Sequence, residues 1–311
     1  MSSLRQGATA YLALRRALGF KLITEERVLL EFIAYCEANA VEHLTTSIAL
    51  AWATSPPRGG TNRVYHARRL IIARAFAQHL HSIDPAHEVP PADLLDGRYQ
   101  RIIPHVFRDT EIIALMRACS ALRPTLRAAS WRTFIGLLAV TGLRVSEACA
   151  LNRDDVERDS GAVRILNTKF NKSRLVFLHA TTLQALAAYE QLRDRACPHA
   201  STRALLINDC ATRLSKSGAP HTFARLLKAA GIHPRPGQRR PRLHDARHTF
   251  AAATLLDWHA DRGDVQARLP LLSTWLGHVN PHSTYWYLQA IPELLALTAA
   301  RLERDPPERS A

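Results

Sequence analysis

The chain has 311 residues, 41 Lys and Arg against 27 Asp and Glu for a formal net charge of +14, and 47% hydrophobic residues. That length favours two domains over one, and the apolar fraction is enough for real cores. No apolar run reaches the ~18 residues of a membrane span, and the N-terminus lacks the apolar stretch and cleavage site of a secretory signal, so membrane and secreted classes are excluded.

The surplus of bases is mostly arginine, whose planar fork binds phosphate with two donors, and nucleic acid is the expected partner of such a chain. The five cysteines, Cys36, Cys119, Cys149, Cys197 and Cys210, are scattered without a CxxC pair. They read as reduced thiols of a cytoplasmic, nucleoid-associated protein, with no metal site and no cofactor.

Residues 1–90 read as a helical domain. Ala8, Tyr11, Leu12, Leu14, Leu18 and Phe20 include helical spacings, with Gly19 near the end of the helix. Thr24 is placed to cap a second helix, with Glu25 and Glu26 in its first turn and an apolar stripe from Val28 to Cys36. A short helix over Thr46 to Ala53 leads into the loop SPPRGGTN. The next helix runs from about Thr61 to His81. It interleaves Arg63, Arg68, Arg69 and Arg74 with Leu70, Ile71, Ala75, Phe76 and Leu80 and carries no acid. Its basic face is a candidate phosphate contact. Residues 91–104, the later part of a proline-rich stretch starting near 84, read as a linker.

The second domain, 105–311, opens on a helix capped by Asp109. An apolar helix from Trp131 to Val140 stops at Thr141-Gly142, and a new helix starts at about Arg144. An arginine at a helix start opposes the helix dipole unless an anion binds there, and Glu147 is spaced to steady it. AVRILN and RLVFLH flank TKFNKS and form a β-hairpin with Lys169 and Lys172 on its turn. A helix follows His179.

From Arg213 to Arg242 there are eight Lys or Arg and no acid. The run ends in the loop PRPGQRRPR, whose Arg239, Arg240 and Arg242 are candidates to follow a phosphate backbone. LHDARHTFAAATLL then sets His244 and Arg247 three apart on one helix. In LGHVNPHSTYWY, Gly277 stops a helix, His278 projects from the turn, and Asn280 and Pro281 start another helix carrying Tyr285, Trp286 and Tyr287. A last helix from Pro292 to about Glu303 has an apolar face of Leu294, Leu295, Leu297 and Leu302.

Taken in order, these motifs resemble the tyrosine recombinase (phage integrase) family. TGLRVSEACAL is similar to its first-arginine motif, HDARHTFA to its HxxR motif, and LGHVNPHSTYWY to its LGH motif with the nucleophile nine residues later. The resemblance covers the chain from about residue 105 and implies catalytic Arg144, Lys169, His244, Arg247, His278 and Tyr287, supported by Glu147. The N-terminal half matches only as a basic helical core-binding domain. TKFNKSR departs from the family's usual GKGNKxR, so Lys172 stays open as the alternative lysine. Tyr285 stays open as the alternative nucleophile; the two tyrosines lie about 200° apart on a helix, so only one can face the site.

The implied fold is mainly α with a small β-hairpin: a helical core-binding domain plus a catalytic domain. The implied activity is site-specific cleavage and rejoining of DNA through a 3′-phosphotyrosyl link, serving integration, excision or transposition of a mobile element. The implied assembly is a homo-tetramer on specific double-stranded DNA sites, monomeric or weakly associated when free, with room for accessory proteins and a C-terminal helix that docks on a neighbour. The rival readings are an inactive or regulatory DNA-binding homologue and a type IB topoisomerase. A zinc hydrolase built on His244 and His248 fits less well, because Asp245 stands where the motif needs glutamate and Arg247 would face the dication.

Overall fold

A computed structural model of the chain describes residues 2–55, 63–97, 103–166, 173–235, 238–261, 264–278, 280 and 282–290. The chain divides into two compact units, Met1–Arg101 and Ile102–Ala311. Among the described residues the architecture is helical apart from one two-stranded sheet.

The first unit holds α1 (Ser3–Ala17), α2 (Ile23–Ala38), α3 (Thr46–Thr54) and α4 (Arg63–His81). Ser2 and Thr45 cap α1 and α3 by accepting from the backbone N–H groups of Arg5 and Ile48. The expected cap at Thr24 is corrected. α2 starts two residues earlier, behind Leu22 in a left-handed conformation (φ 45°), and no side chain caps it. Glu25 and Glu26 still occupy the first turn, where the dipole favours them. The apolar positions of the four helices close over one core that includes Leu4, Phe32, Ile33, Trp52 and Phe76. The proline-rich stretch begins as part of this unit: His87 Nδ1 accepts from the Leu44 N–H at 3.0 Å, and Glu88 accepts from Thr46 at 2.8 Å.

α4 does not present all four arginines outward. Arg63 and Arg68 are exposed and Arg74 is half-buried. Arg69 is 5% exposed, with its guanidinium over the Trp52 ring at 4.1 Å and Nη1 donating to the Ser55 carbonyl at 2.7 Å. It belongs to the core and is withdrawn from the candidate phosphate contacts. Arg68 pairs with Glu25 at 3.3 Å across an exposed surface.

The second unit contains α5 (Asp109–Ala118), α6 (Thr125–Thr141), α7 (Val145–Ala150), β1 (Ala162–Ile165), β2 (Arg174–Phe177), α8 (Ala180–Ala196), α9 (Ala219–Ala229), α10 (Asp245–Ala260), α11 (Val265–Leu276) and α12 (His282–Ala290). Arg108 rather than Asp109 is the N-cap of α5, and Glu111 accepts from its N–H at 2.8 Å. α6 is the central helix: Leu126, Trp131, Phe134, Ile135, Leu137 and Leu138 are buried, and α5, α8 and α10 contact it. β1 and β2 are antiparallel, with Ala162 opposite Phe177 and Ile165 opposite Arg174.

α9, inside the basic run, buries Phe223, Leu226 and Leu227, an amphipathic helix that the charge count had hidden. α10, α11 and α12 form their own core around Leu255, Leu269, Leu272, Leu276 and Tyr287. The hairpin turn with Lys169 and Lys172, and the expected helix from Pro292 to Glu303, lie outside the described residues.

Candidate active site

The site is assembled where α6, α10 and α11 end or begin. Gly142 closes α6 in the left-handed region (φ 63°), and two residues later Arg144 is the N-cap of α7, just ahead of its first turn. Glu147 accepts from the Arg144 backbone N–H at 3.0 Å and from its Nη1 at 2.6 Å. Nη2 of Arg144 donates to the Gly277 carbonyl at 2.8 Å.

Glu147 also holds a cation that the sequence reading did not single out. Arg174, at the start of β2, donates from Nη2 to Glu147 Oε2 at 2.7 Å and from Nη1 to Oε1 at 3.2 Å. Its Nε reaches the Trp275 carbonyl at 2.6 Å. Burial alone would raise the Glu147 pKa, but its bonds to Arg174 and Arg144 outweigh burial and hold it at about 2.

Arg247, on α10 and 2% exposed, donates to the Gly142 carbonyl at 2.9 Å and to the Leu276 carbonyl at 2.6 Å. Its pKa falls to about 10, first through burial and then through Arg144. Three arginines thus end on three consecutive carbonyls, Trp275, Leu276 and Gly277, at the end of α11 and its cap. The last carbonyls of a helix lack intrahelical partners and carry partial negative charge, so they can hold cations close together. Gly277 makes this approach possible: its φ is 66°, and a Cβ there would sit 2.8 Å from Arg174 Nη1.

His278 leaves the α11 cap, and its Nδ1 meets Thr284 Oγ1 at 2.7 Å. Its ring stacks on Tyr287, with centroids 6.3 Å apart and planes at 17°. Burial, then Arg247, Arg144 and Arg174, depress its pKa to about 3. His244 is the N-cap of α10 and keeps an exposed edge. Desolvation of the rest of its ring, then Arg247, draws its pKa to about 4.

Tyr287 is 2% exposed, whereas Tyr285 is 42% exposed on the other side of α12. The Tyr287 hydroxyl lies 3.0 Å from Nδ1 of His248, one turn beyond His244. The sequence signal for His248 was its place beside Arg247 in HDARH, weighed there only as a zinc ligand.

The basic loop before α10 is partly committed internally. Arg239 forks onto Asp245, which is fully buried, at 2.6 and 3.1 Å, and Asp245 also accepts from the Arg242 N–H at 2.7 Å. Arg239 therefore ties the loop to α10 instead of lying free along a backbone, a correction to its expected role. Arg240 donates to the Ala224 carbonyl at 3.0 Å, and Arg242 is exposed.

Arg144, Glu147, Arg174, Arg247, His278 and Tyr287 form a cationic cluster beside a phenol. It is suited to stabilising negative charge that develops on an oxyanion. An apolar cleft of about 450 Å³ among α5, α6 and α8 is lined by none of them.

Residues 105–293 match the phage integrase family. The chain is 39% identical to y4rB of Sinorhizobium fredii, a protein named as an integrase/recombinase, over the full length of both. It is 30% identical to the tyrosine recombinase XerC of Mycobacterium bovis, over 86% of this chain and 88% of that one. Among solved structures, the Tn1549 transposon integrase in complex with transposon right end DNA superposes with a TM-score of 0.65, covering 96% of this chain and 98% of that one at 16% identity. The XerH recombinase bound to its difH substrate gives 0.65 at 20% identity, covering 91% and 79%. At these identities the structural likeness speaks for the fold.

Proposed function

The chain belongs to the phage integrase family, and from that premise we propose how it works as a tyrosine-type site-specific DNA recombinase. Tyr287 is the nucleophile. Its oxygen attacks a phosphodiester phosphorus, the P–O5′ bond breaks, and the product is a 3′-phosphotyrosyl link with a free 5′-hydroxyl. Arg144 and Arg247 bind the two non-bridging oxygens, where charge builds in the transition state. His278 adds a third donor. Lys169, or Lys172 in its place, protonates the departing oxygen, and His244 assists removal of the phenol proton. Rejoining is the same sequence reversed by a 5′-hydroxyl, and the ester keeps the bond energy, so no ATP is needed.

The observation that carries this reading is the convergence of Arg144, Arg247 and His278 on one helix end, with Tyr287 stacked on that histidine. A buried, hydrogen-bonded Tyr287 beside an exposed Tyr285 supports the choice between the two tyrosines. The DNA partner is a duplex carrying specific sites. The working assembly is a homo-tetramer on that DNA, and the setting is movement of a genetic element. The Tn1549 and XerH complexes are with DNA, and a lambda integrase of the same fold has been seen as a tetramer on a Holliday junction. Exposed Arg63, Arg68, Arg240 and Arg242 and half-buried Arg74, together with Lys172 outside the described residues, are the remaining candidate backbone contacts.

Covalent trapping tests the reading. A nicked suicide duplex spanning the ends of the carrying element, incubated with the protein in EDTA, should give a protein-DNA adduct on a denaturing gel. The adduct should vanish in Tyr287→Phe and persist in Tyr285→Phe. Loss only in Tyr285→Phe would reverse the assignment. DNA binding with no adduct would favour a regulatory homologue.

A further inference from the structure

We propose that His248 orients the attacking hydroxyl of Tyr287, accepting its hydrogen bond at Nδ1; this rests on Tyr287 being the nucleophile. The contact is 3.0 Å and joins α10 to α12 across 39 residues of sequence. Tyr287 is 2% exposed, so water competes poorly for the hydroxyl. The imidazole is itself confined. His244 meets it edge-to-face at 4.9 Å, Trp286 lies at 5.6 Å, and the Tyr287 ring at 5.4 Å.

The helix geometry explains why two neighbouring residues divide the work. Successive side chains on α10 point about 100° apart. Arg247 therefore reaches the α11 carbonyls, while His248 reaches α12. One turn of α10 sets both a phosphate-binding cation and the direction of the nucleophile.

The chemistry favours orientation over proton storage. Burial comes first, and His244, Arg247, Arg239 and Arg242 add to it, in pulling the His248 pKa down to about 3. The ring is neutral at physiological pH, so a nitrogen lone pair is available to accept. A base that weak holds a proton poorly against a phenol of pKa near ~10. With O–H aimed at Nδ1, the oxygen lone pairs face away from the imidazole and are free for phosphorus, and as the new P–O bond forms the proton leaves through this contact toward His244, whose ring meets that of His248 at 4.9 Å. Without the acceptor the hydroxyl rotates freely and the attack geometry is lost for much of the time.

The test compares His248→Asn with His248→Leu. The two side chains have nearly the same shape, but only asparagine keeps an acceptor near the Nδ1 position, and neither is basic. Single-turnover adduct formation is followed on the nicked suicide duplex at saturating protein, alongside Tyr287→Phe. Leu should slow cleavage on the order of 10- to 100-fold, and Asn should stay within about five-fold of the parent, both with unchanged duplex binding. A Leu variant as fast as the parent, or an Asn variant as slow as Leu, overturns the proposal.

A DNA-free readout accompanies it. With 13Cζ-labelled tyrosine, the resonance that disappears in Tyr287→Phe should move in Leu and stay near its place in Asn. Equal spectra for Leu and the parent also overturn the proposal. An adduct that survives in Tyr287→Phe removes the nucleophile assignment and this inference with it, whereas an adduct lost there but unslowed in Leu removes the inference alone.

Discussion

Glu147 is one carboxylate between two guanidinium groups, and His248 and His278 are kept neutral first by burial and then by nearby charged groups, Arg247 among them. These protonation states make the fold acid-sensitive in a defined direction. For His248 and His278 the folded pKa is about 3 against an ordinary imidazole value of 6.5. The unfolded chain therefore takes up protons first as the pH drops below 6.5, and stability is lost from there downward. Glu147, at about 2 against 4.5, adds its loss only below pH 4.5. Thermal melts should be flat from pH 8 to pH 7 and fall progressively below 6.5. His248→Asn should flatten the part of that fall between pH 6.5 and 4.5. A melting temperature that rises on acidification through this window would contradict the buried neutral histidines.

At the scale of elements, the end of α11 matters more than its sequence advertises. Gly277→Ala would place a β-carbon against the Arg174 guanidinium and force a left-handed conformation on alanine. The expected cost is about 1–2 kcal/mol in urea unfolding. Adduct formation should fall further than stability does, because Arg174 shares Glu147 with Arg144. Equal stability and activity in the variant would show that Arg174 does not transmit the change.

The sequence singled out this glycine, as it did Arg144, Arg247, His278 and Tyr287, because each sits in a short motif with a local turn or spacing. Arg174 and His248 were passed over although both stand in quoted motifs, Arg174 as the last residue of TKFNKSR and His248 beside Arg247, because only the fold brings them to Trp275 and Tyr287, 101 and 39 residues away. Arg69 was misread because Arg68 and Arg69 are adjacent bases, and periodicity alone does not say which one turns toward Trp52. The start of α2 escaped because Leu22, not a polar cap, makes the turn.

For the whole molecule, a net charge of +14 overstates the cations free to meet DNA. Arg69, Arg174, Arg193 and Arg247 are buried or nearly so, and Arg239 is paired with buried Asp245. Duplex affinity measured by anisotropy against salt should separate the two populations. Arg63→Ala and Arg74→Ala should each reduce the log-log slope by about one. Arg69→Ala should leave the slope unchanged and lower the melting temperature of the first unit. A slope change in Arg69→Ala with no loss of stability would return that residue to the DNA-facing set.

The arginine clasp on α11 has a mechanical consequence. Arg144, Arg174 and Arg247 are gripped by main-chain oxygens, and Arg144 and Arg174 by a buried carboxylate as well. A side chain tethered this way cannot swing out to track a strand that changes place. It behaves as a fixed anvil. Displacement during strand exchange therefore falls to the nucleic acid and not to these three side chains, which offer an unaltered set of donors to the next phosphate.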